Sequence, residues 1–529
     1  MTWLRKGLIL IHRYLGTALS LLFLMWFLTG IGMIYSRGMP RLTAQARLSR
    51  LPVLDLGRIH ITPSEAVERA ELGTDPDGAE MLMIMDRPAY RFNARGQVTV
   101  FADTGEVLAD AGPAEAATIA SRFMNVPEDK LHYAGLITKP DQWTLTQGRQ
   151  MPMHKFSIDD DSHTELYISS KSAEVAVLTT RGSRALAWVS TIPHWFYFAG
   201  LRANSAAWWN AVVWSSGIGC ILALLGIVLG IVQFRYRRPV KLPYAGMMKW
   251  HYAFGLFFGV LTLTWVFSGL LSMEPFAWTE HDDVLGDVEQ AFSGGALDLS
   301  QFPAMDTAVW KQVFGDRPVK EVQFARIQGD PYYVVRSAPD QAPLLGAPDG
   351  GHQPYYVSRN LDAGRLVVSA NPLAIREAAF SGDSIRNKLK ETIPDVPIVE
   401  SQLLTEYDSY YYSRDGEVPL PVLRVKFDDP AKTWVYIDPE VNQVVGQVQR
   451  NNRIERWLYN GLHSLDFSFW YYKRPLWDIG VIILSLGGAA LSGIGVMMGF
   501  KRAWRTVRRA VKSWRSPAIA AVDQRIESA

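Results

Sequence analysis

The chain has 529 residues, of which 48% are hydrophobic, and a formal net charge of +2 at pH 7. This length is enough for several domains, while the small net charge by itself indicates no class of partner. A single cysteine, Cys220, excludes internal disulfides, multi-cysteine zinc sites, cysteine-ligated iron–sulfur clusters and heme attached through a C-x-x-C-H motif.

Four segments that are almost free of charged residues interrupt regions of ordinary globular composition. They cover approximately residues 8–35, 207–232, 251–273 and 479–500. Each reaches or exceeds the ~20 residues that a helix needs to cross a bilayer. The apolar run of the first segment is longer than the core of a secretory signal peptide, so we expect it to remain as a membrane helix. The sequence therefore predicts a membrane protein with four transmembrane helices.

Lysine and arginine are concentrated beside the ends of these segments. They are Arg5, Lys6 and Arg13 near the start, Arg235, Arg237, Arg238, Lys241 and Lys249 between the second and third segments, and Lys501, Arg502, Arg505, Arg508, Arg509, Lys512 and Arg515 after the fourth. Short basic flanks stay in the cytoplasm during insertion. We therefore expect cytoplasmic termini, helices surrounded by lipid, and two long regions outside, in the periplasm if the cell is a Gram-negative bacterium. The same rule explains the basic tail without a nucleic-acid partner.

These boundaries divide the chain into eight predicted parts. They are a transmembrane helix at 1–37, an extracytoplasmic domain at 38–183, an interfacial segment with the second transmembrane helix at 184–234, a basic cytoplasmic loop at 235–250, a third transmembrane helix at 251–274, a second extracytoplasmic domain at 275–452, an interfacial segment with the fourth transmembrane helix at 453–500, and a basic cytoplasmic tail at 501–529.

Both long regions have the pattern of α+β domains. In the first, "ITPSEAVERAELG" predicts a helix with Thr62 as N-cap, Pro63 in the first turn and Glu65 closing a capping box. The alternating stretches "AYRF" and "QVTVFADTGEVL" predict strands. The second region ends similarly, with "VLRVKFDD" expected to pair with "TWVYIDPEVNQVVGQV". The predicted fold class is four transmembrane α-helices with two extracytoplasmic α+β domains.

The chain also contains an internal repeat. In the outgoing helices His12, Gly16, Trp26 and Gly30 correspond to His251, Gly255, Trp265 and Gly269, and Thr29 corresponds to Ser268. In the returning segments Arg184, Trp188, His194, Trp208, Gly226 and Gly230 correspond to Arg453, Trp457, His463, Trp477, Gly495 and Gly499. Because both halves start on the same side, we predict a tandem parallel repeat whose halves are related by a pseudo-twofold axis along the membrane normal.

The repeat predicts a histidine at each end of the membrane unit in both halves. His12 and His251 fall in the first turns of the outgoing helices, whereas His194 and His463 precede the returning helices. Polar residues in membrane segments are costly and usually functional. A twofold axis brings equivalent residues face to face, and two imidazoles are a natural axial pair for heme iron. The sequence therefore predicts two b-type hemes, one between His12 and His251 and one between His194 and His463.

Nearby cations are candidates for contacts with the heme propionates. They are Arg13, Lys249, Arg202 and Arg474. A simpler interpretation of the histidines stays open, because polar and aromatic residues at a membrane interface often act only as anchors at the level of the headgroups. We expect the repeated tryptophans to serve mainly as anchors or packing residues.

Several stretches resemble the PepSY-associated transmembrane helix family of bacterial inner-membrane proteins. They are "HRYLGTALSLLFLMWFLTG", "TPSEAVERAE", "FADTGEVL", "WVYIDPEVNQVVGQV" and "RIERWLYNGLHSLDF". The resemblance covers most of the chain, with residues 303–395 the least similar part. It implies external modules similar to the PepSY domain. Because some members resemble siderophore-linked reductases with hemes in a four-helix membrane unit, it also implies heme ligation by His12, His194, His251 and His463.

These features favour a transmembrane oxidoreductase that passes electrons through two hemes to an external acceptor. The expected acceptor is a ferric–siderophore or another ferric complex, and a candidate binding cluster comprises Tyr407, Tyr410, Tyr411, Tyr412, Arg424 and Lys426. Such a tyrosine run also fits packing against a sheet. The chain has no G-x-G-x-x-G motif after a strand and no flavin motif, so we expect a quinol or a separate cytoplasmic reductase as the electron donor.

Two other functions stay open at this point. The first is a non-enzymatic, membrane-tethered PepSY module that regulates a protease or assists envelope assembly. The second is a transporter subunit, which four spans without an obvious pair of broken helices make the weakest option. The symmetric histidines distinguish the oxidoreductase from the tethered module, because a binding module has no need of imidazoles at both membrane faces.

Overall fold

A computed structural model gives the architecture of the chain. It describes residues 3–36, 38–73, 75–94, 96–234, 242–279, 288–337, 356–357, 365–412 and 418–527. The first part of the predicted basic loop, residues 235–241 with Arg235, Arg237, Arg238 and Lys241, lies outside the described residues.

The described residues form sixteen α-helices and sixteen β-strands. Helices α1–α16 are Trp3–Ser36, Ala44–Arg50, Pro63–Ala70, Pro113–Met124, Arg181–Val189, Thr191–Trp195, Ala199–Arg202, Ser205–Gln233, Gly246–Leu271, Val288–Ser293, Thr307–Phe314, Gly382–Thr392, Arg450–Arg456, Leu462–Ser464, Ser468–Tyr471 and Leu476–Glu527. Strands β1–β16 are Gly78–Ile84, Arg87–Asn93, Gln97–Phe101, Leu131–Ile137, Met153–Ile158, Glu165–Ser169, Glu174–Thr179, Glu321–Ile327, Asp330–Arg336, Tyr356–Val357, Arg365–Ala370, Leu373–Ile375, Ile398–Leu404, Val422–Phe427, Trp434–Asp438 and Gln443–Val448.

Four of these helices are long and apolar enough to cross a membrane. They are α1, α8, α9 and the part of α16 from Leu476 to Val511, with mean hydropathies between 1.9 and 2.4 over their most apolar windows. Their positions agree with the four predicted segments. The fourth helix is longer than expected and continues to Glu527. No glycine or proline interrupts the basic stretch at 501–516, and Pro517 lies within the helix after it.

The four long helices pack as a bundle. Helix α1 packs along α16 and α8 packs along α9, and these are the two most extensive helix contacts of the described chain. The contacts of α9 with α16 and of α1 with α8 close the bundle. Each outgoing helix thus packs mainly on the returning helix of the other half. This arrangement is compatible with the predicted parallel repeat, which maps α1 onto α9 and α8 onto α16.

The strands of the described chain form three antiparallel sheets. The largest has seven strands in the order β12-β11-β9-β8-β1-β2-β3, the second five in the order β10-β16-β15-β14-β13, and the third four in the order β4-β5-β6-β7. The predicted strands near residues 89–101 and 422–448 are among them. The predicted capping box is also present, with Thr62 accepting from the Glu65 backbone and Glu65 accepting from the Thr62 backbone.

The seven-stranded sheet joins the two external regions. Strand β1 of the first region pairs with β8 of the second, with Ala79 opposite Phe324 and Leu82 opposite Glu321. One face of the sheet carries a core to which both regions contribute, including Tyr90 against Phe324 with ring centres 6.0 Å apart. Because this core is shared, the two regions form one packed unit instead of two separately folded domains.

Two of the sheets lead directly into the segments that carry His194 and His463. Strand β7 runs into α5, and β16 runs into α13. The repeated arginines tie each helix to the sheet before it: Arg184 donates to the hydroxyl of Thr179 at 2.9 Å, and Arg453 donates to the carbonyl of Val448 at 3.1 Å. The external sheets therefore fix the starting points of both histidine segments.

A buried ionic cluster connects the first region to the second. Glu321 is 1% exposed and pairs with Arg47 and Arg336, each at 2.8 Å. Arg47 also pairs with Glu174 at 3.2 Å, and the 1% exposed Arg91 pairs with Glu174 at 2.6 Å. Because buried charges are stable only when they are paired, this alternating cluster depends on both regions being in place.

We expect Glu321→Ala to destabilise the external unit by about 3 kcal/mol, because it leaves two guanidinium groups near the sheet without their carboxylate. Thermal unfolding of the detergent-solubilised protein, followed by tryptophan fluorescence, should show a lower melting temperature. The matched control is Glu68→Ala on the exposed face of α3, which should change stability by no more than about 0.5 kcal/mol. Equal melting of the two variants would contradict a joining role for the cluster.

Candidate functional site

The structure brings the four predicted histidines together in two pairs. The rings of His12 and His251, which we call the inner pair, have centres 6.3 Å apart. The rings of His194 and His463, which we call the outer pair, have centres 6.1 Å apart. His12 and His251 lie near the starts of α1 and α9, and His194 and His463 lie on the short helices α6 and α14 at the other end of the bundle. Each pair thus combines one histidine from each half of the repeat.

The spacing of each pair matches two imidazoles on one metal ion. An imidazole nitrogen binds a first-row metal at about 2 Å, and the ring centre lies roughly 1 Å behind that nitrogen, so opposed ligands have centres about 6 Å apart. The measured separations of 6.3 and 6.1 Å are in this range. The rings are tilted by 51° at the inner pair and by 68° at the outer pair, so they are not stacked face to face. Edge-to-face ring contacts have similar separations, so the distances are compatible with a metal ion between the rings and do not require one.

Hydroxyl groups orient the outer pair. Thr29 Oγ1 donates to the Met25 carbonyl at 2.8 Å and lies 3.1 Å from His194 Nδ1. Since a hydroxyl has one proton, it accepts from Nδ1–H, and the other ring nitrogen, Nε2, keeps its lone pair. Ser268 repeats this in the second half, donating to the Trp265 carbonyl at 3.0 Å and accepting from His463 Nδ1 at 3.0 Å. This tautomer is the one that a metal ligand requires at Nε2.

Backbone carbonyls act in the same way at the inner pair. His12 Nδ1 donates to the carbonyl of Leu222 at 3.2 Å. The equivalent carbonyl in the second half is that of Leu491, which lies beside His251 although Nδ1 of His251 makes no complete hydrogen bond within the described chain. A carbonyl can only accept, so it also selects the Nδ1–H tautomer and leaves Nε2 of His12 available as a ligand.

One of the repeated glycines makes room for an imidazole ring. A Cβ on Gly226 would approach Cε1 of His12 to 2.9 Å, which is closer than real contacts allow. Gly30 and Gly269 also lie beside rings, but a Cβ on either would be 3.5 Å from Cε1 of His194 or His463, which is an ordinary contact. Gly226 therefore has a role beyond the helix packing expected from its spacing.

A large cavity adjoins the outer pair. It has a volume of about 740 Å³ and is lined by both histidines, by Gly30 and Gly269, and by Trp26 and Trp265. Cofactor sites in proteins have volumes of about 300–1,000 Å³ and are mostly apolar with a few polar groups. The cavity walls come from both halves of the bundle, since α1, α8, α9 and α16 all contribute. Its size and lining fit a flat aromatic macrocycle held between the two imidazoles.

Of the four predicted propionate contacts, Arg474 lies at the cavity. It lines the wall and its guanidinium lies 4.3 Å above the Trp477 ring. Arg202 lies behind the wall, 4.6 Å above the ring of Trp208, which itself lines the cavity. Arg13 and Lys249 are exposed residues near the inner pair. Arg41 also lines the cavity, and no motif in the sequence indicated it.

The predicted acceptor-binding cluster is a packed core in the structure. Tyr411 is fully buried and stacks on Tyr436 with ring centres 4.9 Å apart, and the Tyr412 hydroxyl donates to Asp466 at 2.7 Å. Tyr410, half-buried, packs against the same cluster. Arg424 is paired with Glu400 at 2.7 Å and with Asp408 at 2.8 Å. Because their polar groups are already bound within the protein, these residues offer no open surface for an anionic chelate. The tyrosine run instead packs against a sheet, which is the other interpretation that the sequence left open.

Two acidic residues near the cavity were not singled out in the sequence. Glu274 lines the cavity, and Glu455 is buried next to it. The signal that marks them is a departure from the repeat: their equivalents in the first half are Tyr35 and Leu186. Identical positions in a repeat indicate shared structure, whereas an acid in place of an apolar residue indicates a property of one half alone.

Comparison with protein-family models and with curated proteins finds no relative of this chain. No protein-family model matches this chain, and no curated protein matches its sequence. The family suggested by the motifs thus stays a prediction, together with the activity that it implies. The ground for a functional proposal is the arrangement of the chain's own residues: two histidine pairs at opposite ends of a four-helix bundle, one of them facing a cavity of cofactor size.

Proposed function

We propose that this protein is a transmembrane electron-transfer protein that holds two b-type hemes and reduces an acceptor outside the cytoplasm. The observation that carries the proposal is the pairing of His12 with His251 and of His194 with His463, at ring separations of 6.3 and 6.1 Å. Packing alone gives no reason to bring two imidazoles together at both ends of a helix bundle, because a polar ring is costly in an apolar environment even where one of its nitrogens is hydrogen-bonded.

The residues around each pair have definable tasks. Thr29 and Ser268 hold the outer rings in the tautomer that leaves Nε2 as a ligand. The apolar bundle excludes water, and Arg474 lies at the cavity wall with its guanidinium paired to Asp478, so it would have to share this charge with an anionic substituent. Bound heme would supply a one-electron couple whose potential the axial ligands and the burial tune. Two such sites at opposite ends of the bundle provide a route for electrons across an insulating bilayer.

The proposed reaction fits the topology expected from the basic flanks. With the termini in the cytoplasm of a bacterium and the external unit outside the inner membrane, the inner pair receives electrons from a quinol or a cytoplasmic reductase. The outer pair then delivers them to a ferric–siderophore or another ferric complex. Reduction to the ferrous state weakens binding by oxygen-rich chelators, which prefer the harder ferric ion, and so releases the metal. The external unit, resembling PepSY modules, would approach this acceptor.

The absorption spectrum of the purified protein tests the proposal. Detergent-purified protein from iron-replete cells should show the sharp bands of low-spin heme after reduction with dithionite, with two hemes per chain by pyridine hemochrome assay. His12→Ala and His194→Ala should each lose about one of the two hemes, because each removes one axial ligand of a different site. The double variant should be nearly colourless.

The matched control is His132→Ala, which removes an exposed histidine on β4 and should keep both hemes. A colourless wild-type preparation would contradict the proposal and favour the non-enzymatic, membrane-tethered module. Heme loss in the control equal to that in His194→Ala would show that the histidines of the two pairs have no special role.

The hydroxyl at position 29 offers a finer test of the outer site. Thr29→Val keeps the shape of the side chain but removes the acceptor of His194 Nδ1–H, so we expect heme affinity at the outer site to fall about 10–100-fold. Thr29→Ser is the control, because the second half of the chain uses Ser268 for the same hydrogen bond. Titration of heme into the apoprotein measures both. Equal affinities for the two variants would rule out the orienting role of the hydroxyl.

A further inference from the structure

Glu455 is a buried carboxyl group without a hydrogen-bond partner. It lies on α13, its relative exposure is 0%, and neither of its side-chain oxygens has a partner within the described chain. Burial of an ionised carboxylate without compensation costs several kcal/mol, so such groups either bind a proton or are retained for a function. The neighbouring Arg456 does not neutralise it, because that guanidinium donates to the carbonyls of Ser409 and Asp466 instead.

The charged group that faces Glu455 from another element is Glu274. This residue follows the end of α9, and its charge acts on Glu455. Glu274 is half-buried, accepts a hydrogen bond from the hydroxyl of Thr279, and lines the cavity at the outer pair. Tyr459, one turn after Glu455, lines the same cavity. Glu455 therefore lies one helical turn from a residue of the cavity wall, and Glu274 is a carboxyl on that wall.

The acid pair belongs to the second half of the repeat alone. The residue equivalent to Glu455 in the first half is the half-buried Leu186, and the residue equivalent to Glu274 is the exposed Tyr35. A fully buried acid that the other half of the repeat does not share is a candidate for a chemical role.

Burial and the like charge of Glu274 raise the pKa of Glu455 to about 8. Both effects disfavour the ionised form, since desolvation penalises a charge and a second carboxylate repels it. The group therefore keeps its proton at neutral pH and ionises only near pH 8, whereas an ordinary glutamate is already ionised at neutral pH. A nearby change of charge can shift this equilibrium in either direction.

We propose that Glu455 is the proton acceptor that balances charge when the outer site gains an electron, with Glu274 as its connection to the cavity. The proposal rests on the function proposed above. When an electron from the quinol or reductase reaches the outer site at a pH where Glu455 is ionised, near pH 8 and above, one proton from external water would pass along the cavity to its carboxylate and form the carboxylic acid. When the electron leaves for the ferric acceptor, the proton returns to the same side. The net charge around the site is then equal before and after each step.

The test is the pH dependence of the reduction potential of the heme-loaded protein in detergent, measured by spectroelectrochemistry. In the wild type, the potential of the outer site should fall as pH rises across a window around pH 8. The potential should fall by at most about 59 mV for each pH unit, because 59 mV corresponds to a tenfold change in the equilibrium constant of a one-electron couple. Reduction should also produce an infrared difference band from the carbonyl stretch of a protonated carboxylic acid. Glu455→Gln should lose both the slope in this window and the band.

Glu455→Leu introduces the residue that the first half has at this position, and it should behave like Glu455→Gln. If one of the two variants fails to fold, the other still tests the proposal. Glu68→Gln, on the exposed face of α3, is the carboxyl control and should keep the slope and the band. Heme-loaded wild type with a flat potential, or Glu455→Gln with an unchanged slope and band, overturns the proton-acceptor role alone. Protein that binds no heme overturns the proposed function and this inference with it.

Discussion

Two imidazoles that face each other at each end of an apolar bundle are the constraint on which the rest of this structure depends. A polar ring in such a place must be held and compensated, and the surrounding residues do this in both halves. Thr29 and Ser268 bind the outer rings, the Leu222 carbonyl binds His12, and Gly226 leaves room beside the His12 ring. The repeated residues thus have one shared purpose, which is the placement of four ring nitrogens.

The external unit contributes to the same placement. Its sheets lead into α5 and α13, which precede the segments of His194 and His463, and the repeated Arg184 and Arg453 fasten these helices to the sheets. The pairing of β1 with β8 and the ionic cluster around Glu321 join the two external regions. Because both regions form one unit, the two outer histidines are positioned relative to each other from outside the bundle as well as within it.

The sequence predicts those features that have a local or periodic signal. Hydropathy gives the four long helices, residue spacing gives the Thr62 capping box, and the repeat gives the partners of the histidines. The pairing of β1 with β8 had no such signal, because strand pairing between distant segments depends on tertiary packing and leaves no motif. The burial of Tyr411 was equally hidden, since a tyrosine run fits a core and a binding surface alike. Glu455 became visible only when the structure showed its burial.

The two halves of the repeat differ at the outer end of the bundle. The pseudo-twofold axis relates the two halves and not the two ends of the bundle, and the acids at 274 and 455 distinguish the second half at the outer end. In the proposed function the repeated residues would hold the cofactors, and the acid pair would respond to charge at one of the two sites.

Electron paramagnetic resonance of the oxidised protein tests the central claim most directly, because the spectrum reports the axial ligands of ferric heme. Opposed imidazoles in both pairs predict two low-spin ferric signals of the bis-histidine type, with no high-spin signal of comparable intensity. A predominantly high-spin spectrum, or a low-spin spectrum that survives replacement of both His12 and His194, would contradict the account of paired imidazoles as the iron ligands.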